Sequence, residues 1–253
     1  MEYHFFFAGI WTFFEWLRSW LFTGFALNLL ATVWSQNAEV MQFASVVGVY
    51  GLGFLTIILC LIPAVLGDQN WNWQSRIPVL ISLIGFCCIW VFGSYRLTDA
   101  STSFVEGVSL RLVQANIAQN LKWKPGYKIN HINRHIKLSS LKSKNGFVPT
   151  HVIWPETAVP LNLSENQDLK NYLSAAVPKG GGLITGAPRR SVASDNEVKY
   201  WNSLHAIGSN GEILKTYDKV HLVPFGEYIP FPNIFKISKI TEGRVDFSSG
   251  VSD

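Results

Sequence analysis

The chain has 253 residues, 48% of them hydrophobic and 15% charged, with a formal net charge of +4. Its basic residues are scattered and do not cluster with aromatics, which excludes a nucleic-acid footprint; a positive surface facing anionic lipid headgroups suits this composition better. Before Arg96 the charged side chains are Glu2, Glu15, Arg18, Glu39, Asp68 and Arg76, far fewer than an ordinary soluble surface carries.

Three hydrophobic segments occupy this charge-poor part, and the charge step marks a boundary between membrane helices over 1–95 and a second domain over 105–253. Residues 5–14 precede Glu15 and Arg18, so they read as the end of a spanning helix whose start is missing, or as an interfacial segment. Residues 43–66 run without a charge and exceed the roughly 20 residues that span a bilayer as helix. Residues 77–93 form a second uncharged run at the short end of that range. The alternative, core helices of a soluble protein, is disfavoured by two such runs so close together. No basic n-region and small-residue cleavage site mark a signal peptide. Ala44 and Gly48 have the small-xxx-small spacing that lets helices approach closely, with Gly51 and Gly53 following. Trp11, Trp16, Trp20, Trp71 and Trp73 sit where interfacial aromatic belts form. Arg76 is the only basic residue of 67–76, so charge leaves the orientation open. Cys60, Cys87 and Cys88 fall in the apolar runs, where a thiol behaves as a small apolar group; neither a disulfide framework nor a metal site is expected.

From residue 108 the pattern alternates between strand and helix. Residues 108–117 (VSLRLVQANI) read as a strand. After Trp123-Lys-Pro-Gly126, residues 127–142 place Ile129, Ile132, Ile136 and Leu138 among lysines and histidines, an amphipathic helix. Residues 151–154 read as a short buried strand, and 165–177 as a helix with Ser164 as its N-cap. Three glycines at 180–182 lead into a strand over 183–187. Residues 201–208 and 212–217 read as a hairpin around Ser209-Asn210-Gly211. This order predicts a layered α/β domain.

Glu156 stands out because Pro155 and Pro160 stiffen the backbone on either side. Beside Trp154, and partly desolvated, its carboxylate would have a raised pKa suited to a general base; the alternative is a turn carboxylate accepting backbone N–H bonds. Lys219 lies in Tyr217–Pro230 (YDKVHLVPFGEYIP), a segment with the composition of an ordered loop. It could stabilise an oxyanion with Glu227 orienting it, or form a surface ion pair with Asp218 or Glu227. His131 and His135 have metal-ligand spacing, but Ile132 stands where a zinc protease would place Glu, so a solvated helix face is expected. The glycines at 180–182 precede a strand and make a poor phosphate cradle. His221 has no Ser or Cys near it in sequence to complete a triad.

Residues 112–123 (LVQANIAQNLKW), the turn Trp154-Pro-Glu-Thr-Ala-Val-Pro160 and the loop 217–230 together resemble bacterial apolipoprotein N-acyltransferase, within the wider nitrilase superfamily. Glu15-Trp-Leu-Arg18, residues 20–25 and Gly48-Val-Tyr-Gly51 look like that family's later membrane helices. The resemblance implies transmembrane α-helices followed by a partial α/β nitrilase-like domain, an αββα sandwich. It implies a multi-pass protein of the bacterial inner membrane with that domain in the periplasm. The implied reaction moves an acyl chain from a membrane phospholipid through a cysteine thioester to the N-terminal diacylglyceryl-cysteine of a lipoprotein, with no cofactor and no metal. On matching positions Glu156 is the general base, Lys219 the oxyanion group, Glu227 a supporting residue and Trp123 part of the substrate region. A thiolate beside a base is sound covalent-catalysis chemistry. In the family the nucleophilic cysteine follows the lysine loop, and further helices flank both ends. An internal fragment, inactive alone, is therefore expected. The alternative is a non-catalytic membrane subunit that pairs with a separate C-terminal half; a membrane-anchored amidase on the same scaffold is a third reading.

Overall fold

The structure is a computed structural model that describes residues 2–62, 64, 73–143, 146–192, 197–231 and 246–251. It divides into two compact units, Met1–Ser103 and Phe104–Asp253.

In the first unit the main helices are α1 (Glu2–Trp20), the short α2 (Ala38–Met41), α3 (Ala44–Leu61) and α4 (Trp73–Thr98). Two stretches, Ala44–Leu61 and Arg76–Thr98, are long and apolar enough to cross a membrane. The second is longer than the uncharged run suggests, because helix continues past Gly93 through Arg96. The first segment is likewise longer than 5–14: α1 runs through Glu15 and Arg18, and both charges have local work. Glu15 Oε1 accepts from the Leu30 N–H at 2.9 Å, at the start of a 3-10 segment, Leu30–Gln36, where free N–H groups favour an anion. Arg18 donates to the Leu27 carbonyl at 2.9 Å. Trp34 donates to Thr56 Oγ1 at 2.8 Å, fixing the same segment to α3.

Gly48 has a different role from the close-packing one its spacing suggests. It breaks α3 with φ 70° and ψ 174°, and among the described residues no atom outside its own stretch of helix lies within 4 Å of where its Cβ would be. The close approach is made by Gly93 of α4, where a Cβ would sit 1.9 Å from the Glu39 carbonyl oxygen of α2. Trp11, Trp16 and Trp20 are exposed on α1; Trp71 lies outside the described residues.

The second unit contains β1 (Leu110–Leu112), α5 (Gln119–Lys122), α6 (Lys128–Ser139), β2 (His151–Ile153), α7 (Gln167–Leu173), β3 (Gly182–Val192), β4 (Val198–Ile207) and β5 (Ile213–Asp218). The strands form one mixed sheet in the order β1-β2-β3-β4-β5. β1, β2 and β3 pair in parallel, which requires the helical crossovers between them. β3, β4 and β5 pair antiparallel. The hairpin between β4 and β5 turns at Gly211 with φ 76°, while Glu212 Oε2 accepts from the Asn210 N–H at 2.9 Å. The register sets Arg111, Val152, Leu183 and Ile207 in one cross-strand row and Leu112, Ile153, Ile184 and Ala206 in the next. The first row faces the core, where Val152, Leu183 and Ile207 pack with Ile132, Leu169 and Leu173 of the helices; each such burial contributes about 1.5–3 kcal/mol. On the opposite face Leu112, Leu204 and Tyr217 are exposed.

Three local expectations change. Strand 108–117 shrinks to Leu110–Leu112, because its second half feeds the turn into α5. Helix 165–177 begins at Gln167, capped by Asn166, whose side chain accepts from the Leu169 N–H; Ser164 instead donates its N–H to Asn162 Oδ1. His131 and His135 are buried, not solvated. Ile132, Ile136 and Ser139 extend the inward face of α6 by one position, so the buried arc takes in both histidines. The His135 ring lies 5.0 Å from that of Trp154, and Trp154 Nε1 donates to Ser139 Oγ at 2.8 Å. Burial pushes the His135 imidazole below the ordinary histidine range, and its bond to the His131 carbonyl only partly offsets this.

Candidate active site

Glu156 sits on a turn at the end of β2, closed by the Ala158 N–H bonding the Pro155 carbonyl at 3.2 Å. Thr157 has φ 52°, a left-handed conformation that costs energy for a β-branched residue. The turn lies directly on β3: the Val159 N–H bonds the Gly186 carbonyl at 3.1 Å, and the Trp154 N–H bonds the Ile184 carbonyl at 2.9 Å. Trp154 faces the core, away from the carboxylate, and the Glu156 side chain is 63% exposed. The desolvation expected from their adjacency in sequence therefore does not occur. Neighbouring residues beyond a strand end can point in different directions.

Lys219 follows β5 directly, and its N–H bonds the Asn202 carbonyl at 2.9 Å. Its Nζ lies 3.0 Å from Glu227 Oε2 and 3.7 Å from Glu156 Oε1. Glu227 is the most buried of the three, its side chain 12% exposed; its Oε2 also accepts from the Val223 N–H at 2.7 Å. The loop is clasped by residues 246–251, where the Phe247 N–H bonds the Glu227 carbonyl and the Gly250 N–H bonds the Lys219 carbonyl, both at 2.9 Å.

Asn202 of β4 was not singled out from the sequence. Its Nδ2 donates to Glu227 Oε1 at 2.6 Å and to Glu156 Oε1, so one amide group spaces the two carboxylates. β4 also carries Lys199, Ser203 and His205, so nothing in the sequence set this amide apart. Lys122 is the second such residue: it donates to the Glu156 carbonyl oxygen at 3.1 Å. Burial pushes the Lys122 ammonium below the ordinary lysine range, and the charge of Glu156 partly restores it. Trp123, Glu156, Lys219 and Glu227 all line one cleft of about 1420 Å³.

Asp218 does not pair with Lys219. It takes two bonds from Arg189, at 2.9 and 2.5 Å, and one from Ser203 Oγ at 2.5 Å. The Arg189 guanidinium lies 3.8 Å over the Trp201 ring, a cation–π arrangement. Burial opposes the charge on Asp218, but the bonds from Arg189 and Ser203 outweigh it and hold the carboxyl below its ordinary range. Nearby His205 is shifted downward, mainly by burial, with Asp218 opposing that shift and Arg189 adding to it. Because the folded pKa of Asp218 is depressed, its stabilisation is full above the unfolded value of about 4 and fades as pH falls through the folded value. Asp218→Asn should therefore melt below the wild type at neutral pH, by the equivalent of about 1–3 kcal/mol, and the gap should be smaller at about pH 3 than at neutral pH. Thermal unfolding of the detergent-solubilised protein at both pH values checks this; a gap that is constant with pH would contradict it.

Residues 2–62 match a family model described as apolipoprotein N-acyltransferase N-terminal domain. The apolipoprotein N-acyltransferase of Rhodopseudomonas palustris is 34% identical over 248 residues, covering 94% of this chain and 46% of that protein. That of Rickettsia bellii is 34% identical over 254 residues, covering 98% of this chain and 48% of that protein. The chain thus spans about half the length of the curated relatives it matches. Among solved structures, an N-terminal amidase with an Asn-Glu-Ala peptide overlaps 46% of this chain and 29% of its own, at a TM-score of 0.32 and 17% identity, a likeness too slight to argue from. About a third identity along nearly the whole chain, joined to the family-model match in the helical unit, makes this chain similar, over the residues it spans, to about half of an apolipoprotein N-acyltransferase.

Proposed function

We propose that Glu156, Lys219 and Glu227 form the acid–base and oxyanion part of a site that transfers an acyl chain from a phospholipid to the N-terminal diacylglyceryl-cysteine of a lipoprotein. The observation that carries this reading is the placement of one ammonium, Lys219 Nζ, between a buried carboxylate at 3.0 Å and an exposed one at 3.7 Å in a single cleft. Glu227 anchors the lysine. Glu156 is free to exchange protons with a reacting group, as a general base must be.

In the first step Glu156 takes the proton of a cysteine thiol while the sulfur attacks the donor's ester carbonyl. The oxygen gains negative charge facing Lys219. Collapse expels the lysophospholipid alkoxide, which takes the proton back, and leaves a thioester. In the second step the acceptor's α-amine attacks the thioester, Glu156 receives the amine proton, and the thiolate leaves. Trp123 lines the cleft beside the acyl chain. Residues 104–253 contain no cysteine, and Cys60, Cys87 and Cys88 belong to the helical unit. The thiol of this reading is accordingly supplied by sequence outside these 253 residues, in the same gene product or in a separate C-terminal half.

The two long apolar helices and the likeness to apolipoprotein N-acyltransferases support a multi-pass protein of the bacterial inner membrane, with the sheet-bearing unit on the periplasmic side. The test uses membranes containing the complete gene product, a phospholipid with a radiolabelled acyl chain and a diacylglyceryl peptide. The expected result is label on the peptide through a hydroxylamine-sensitive protein intermediate. Absence of label from both protein and peptide would overturn the proposal. Co-purification of a second, cysteine-bearing chain would identify the split form.

A further inference from the structure

The cleft that holds Glu156, Lys219 and Glu227 has a net basic lining: Lys122, Lys124 and Lys128 come from the segment around α5, and Arg189 and Arg190 from β3, with Asp246 as the further acidic residue. These cations are not equally available. Arg189 is bound to Asp218, and Arg190 lies 3.5 Å from Glu165. Lys219 is held by Glu227, and Lys122 by the Glu156 carbonyl. Among the described residues Lys124 and Lys128 have no ion pair and no side-chain hydrogen bond.

A main-chain turn joins them. The Tyr127 N–H bonds the Lys124 carbonyl at 3.0 Å, closing the 3-10 turn Pro125–Tyr127. Pro125 fixes φ within that turn, and Lys128 is the first residue of α6. One turn therefore carries two uncommitted ammonium groups to the same cleft wall. In a concave opening such charges focus a positive potential outward. A lysine ammonium offers three donors in a compact charge, which suits the oxygens of a phosphate. The guanidiniums, which would grip either a phosphate or a carboxylate in a planar pair, are already occupied.

We propose that Lys124 and Lys128 seat the phosphodiester of the acyl-donor lipid in the cleft, so that its ester carbonyl reaches Lys219. The proposal rests on the acyl-transfer reading above and adds to it the part of the donor that is recognised: the phosphate, whatever alcohol it carries.

The test compares two acyl donors with the complete gene product in detergent micelles, dioleoyl phosphatidylglycerol and the phosphate-free ester p-nitrophenyl palmitate. In the double variant Lys124→Gln/Lys128→Gln the KM for phosphatidylglycerol rises by about fivefold to tenfold. The KM for the phosphate-free ester moves much less, and Lys124→Arg/Lys128→Arg restores most of the phosphatidylglycerol value. Lys215→Gln, the loss of one charge on β5, leaves both KM values unchanged. Equal rises for the two donors, or no rise for phosphatidylglycerol, would overturn the proposal. So would lysine-dependent binding of inorganic phosphate without a change in the phosphatidylglycerol KM, which would assign the rim to free phosphate. Failure of the wild type with both donors would sink the acyl-transfer reading itself, and the phosphate seat with it; that failure is recognisable because it precedes any variant.

Discussion

Glu156→Gln lowers acyl transfer by about 10²–10⁴-fold and changes thermal stability by less than about 0.5 kcal/mol. The amide has the shape of the carboxylate and can still accept the bond from Asn202 Nδ2, but it cannot take a proton from a thiol or an amine. Stability is little affected because the side chain is 63% exposed and its backbone turn is fixed by main-chain bonds to β3. Glu227→Gln should separate from it. At 12% exposure, Glu227 holds Lys219, Asn202 and the Val223 N–H together, so its loss lowers activity and melting temperature at once. The measurement is label transfer with thermal unfolding on the same preparations. A Glu156→Gln protein that retains more than about a tenth of wild-type transfer would remove Glu156 from the role of general base.

Gly186→Ala destabilises the protein by about 1–3 kcal/mol and lowers activity as well, although residue 186 touches no substrate. An added Cβ would sit 2.4 Å from the Thr157 nitrogen and 2.8 Å from the Glu156 Cα. Both are backbone atoms, so no flexible side chain can give way. Either β3 bends or the turn lifts, and lifting it breaks the bond from the Val159 N–H to the Gly186 carbonyl. For a unit of this size the melting temperature should fall by roughly 2–10 °C, with a loss of turnover that Gly182→Ala does not share. At Gly182 the nearest atoms are 3.6 Å away, an ordinary contact. A Gly186→Ala protein that melts and turns over like the wild type would show that the turn does not rest on β3.

How far these features could be read from sequence depends on the distance over which they are encoded. The β4–β5 hairpin, helix α6 and the strand before Glu156 are local patterns of period and turn chemistry. The apolar helices are local runs of composition, although they extend past the uncharged runs where Glu15, Arg18 and Arg96 are carried within helix. The misses concern pairing. Asp218 and Lys219 are neighbours in sequence, but β5 ends between them; Asp218 remains paired across β4 with Arg189 and Ser203, while Lys219 enters the cleft. Trp154 and Glu156 were expected to share an environment, yet the strand end separates core from solvent between them. Asn202 gains its role only when β4 is placed beside both carboxylates. Gly48 and Gly93 look equivalent as small residues in apolar helices, and only their neighbours distinguish a backbone break from a contact.

The charges in the cleft also have an arrangement. At the centre the carboxylates of Glu156 and Glu227 are matched by the ammonium groups of Lys219 and of Lys122, which donates to the Glu156 carbonyl, whereas the uncommitted lysines supply unmatched positive charge elsewhere on the wall. An amphiphile with a charged phosphate and a neutral ester meets different preferences in these two zones. Its phosphate is drawn to the unmatched lysines and not to the balanced centre, so the uncharged carbonyl is the group left to approach Lys219. Field direction alone would then orient a flexible lipid, and substrates of different chain length would enter with the same end first.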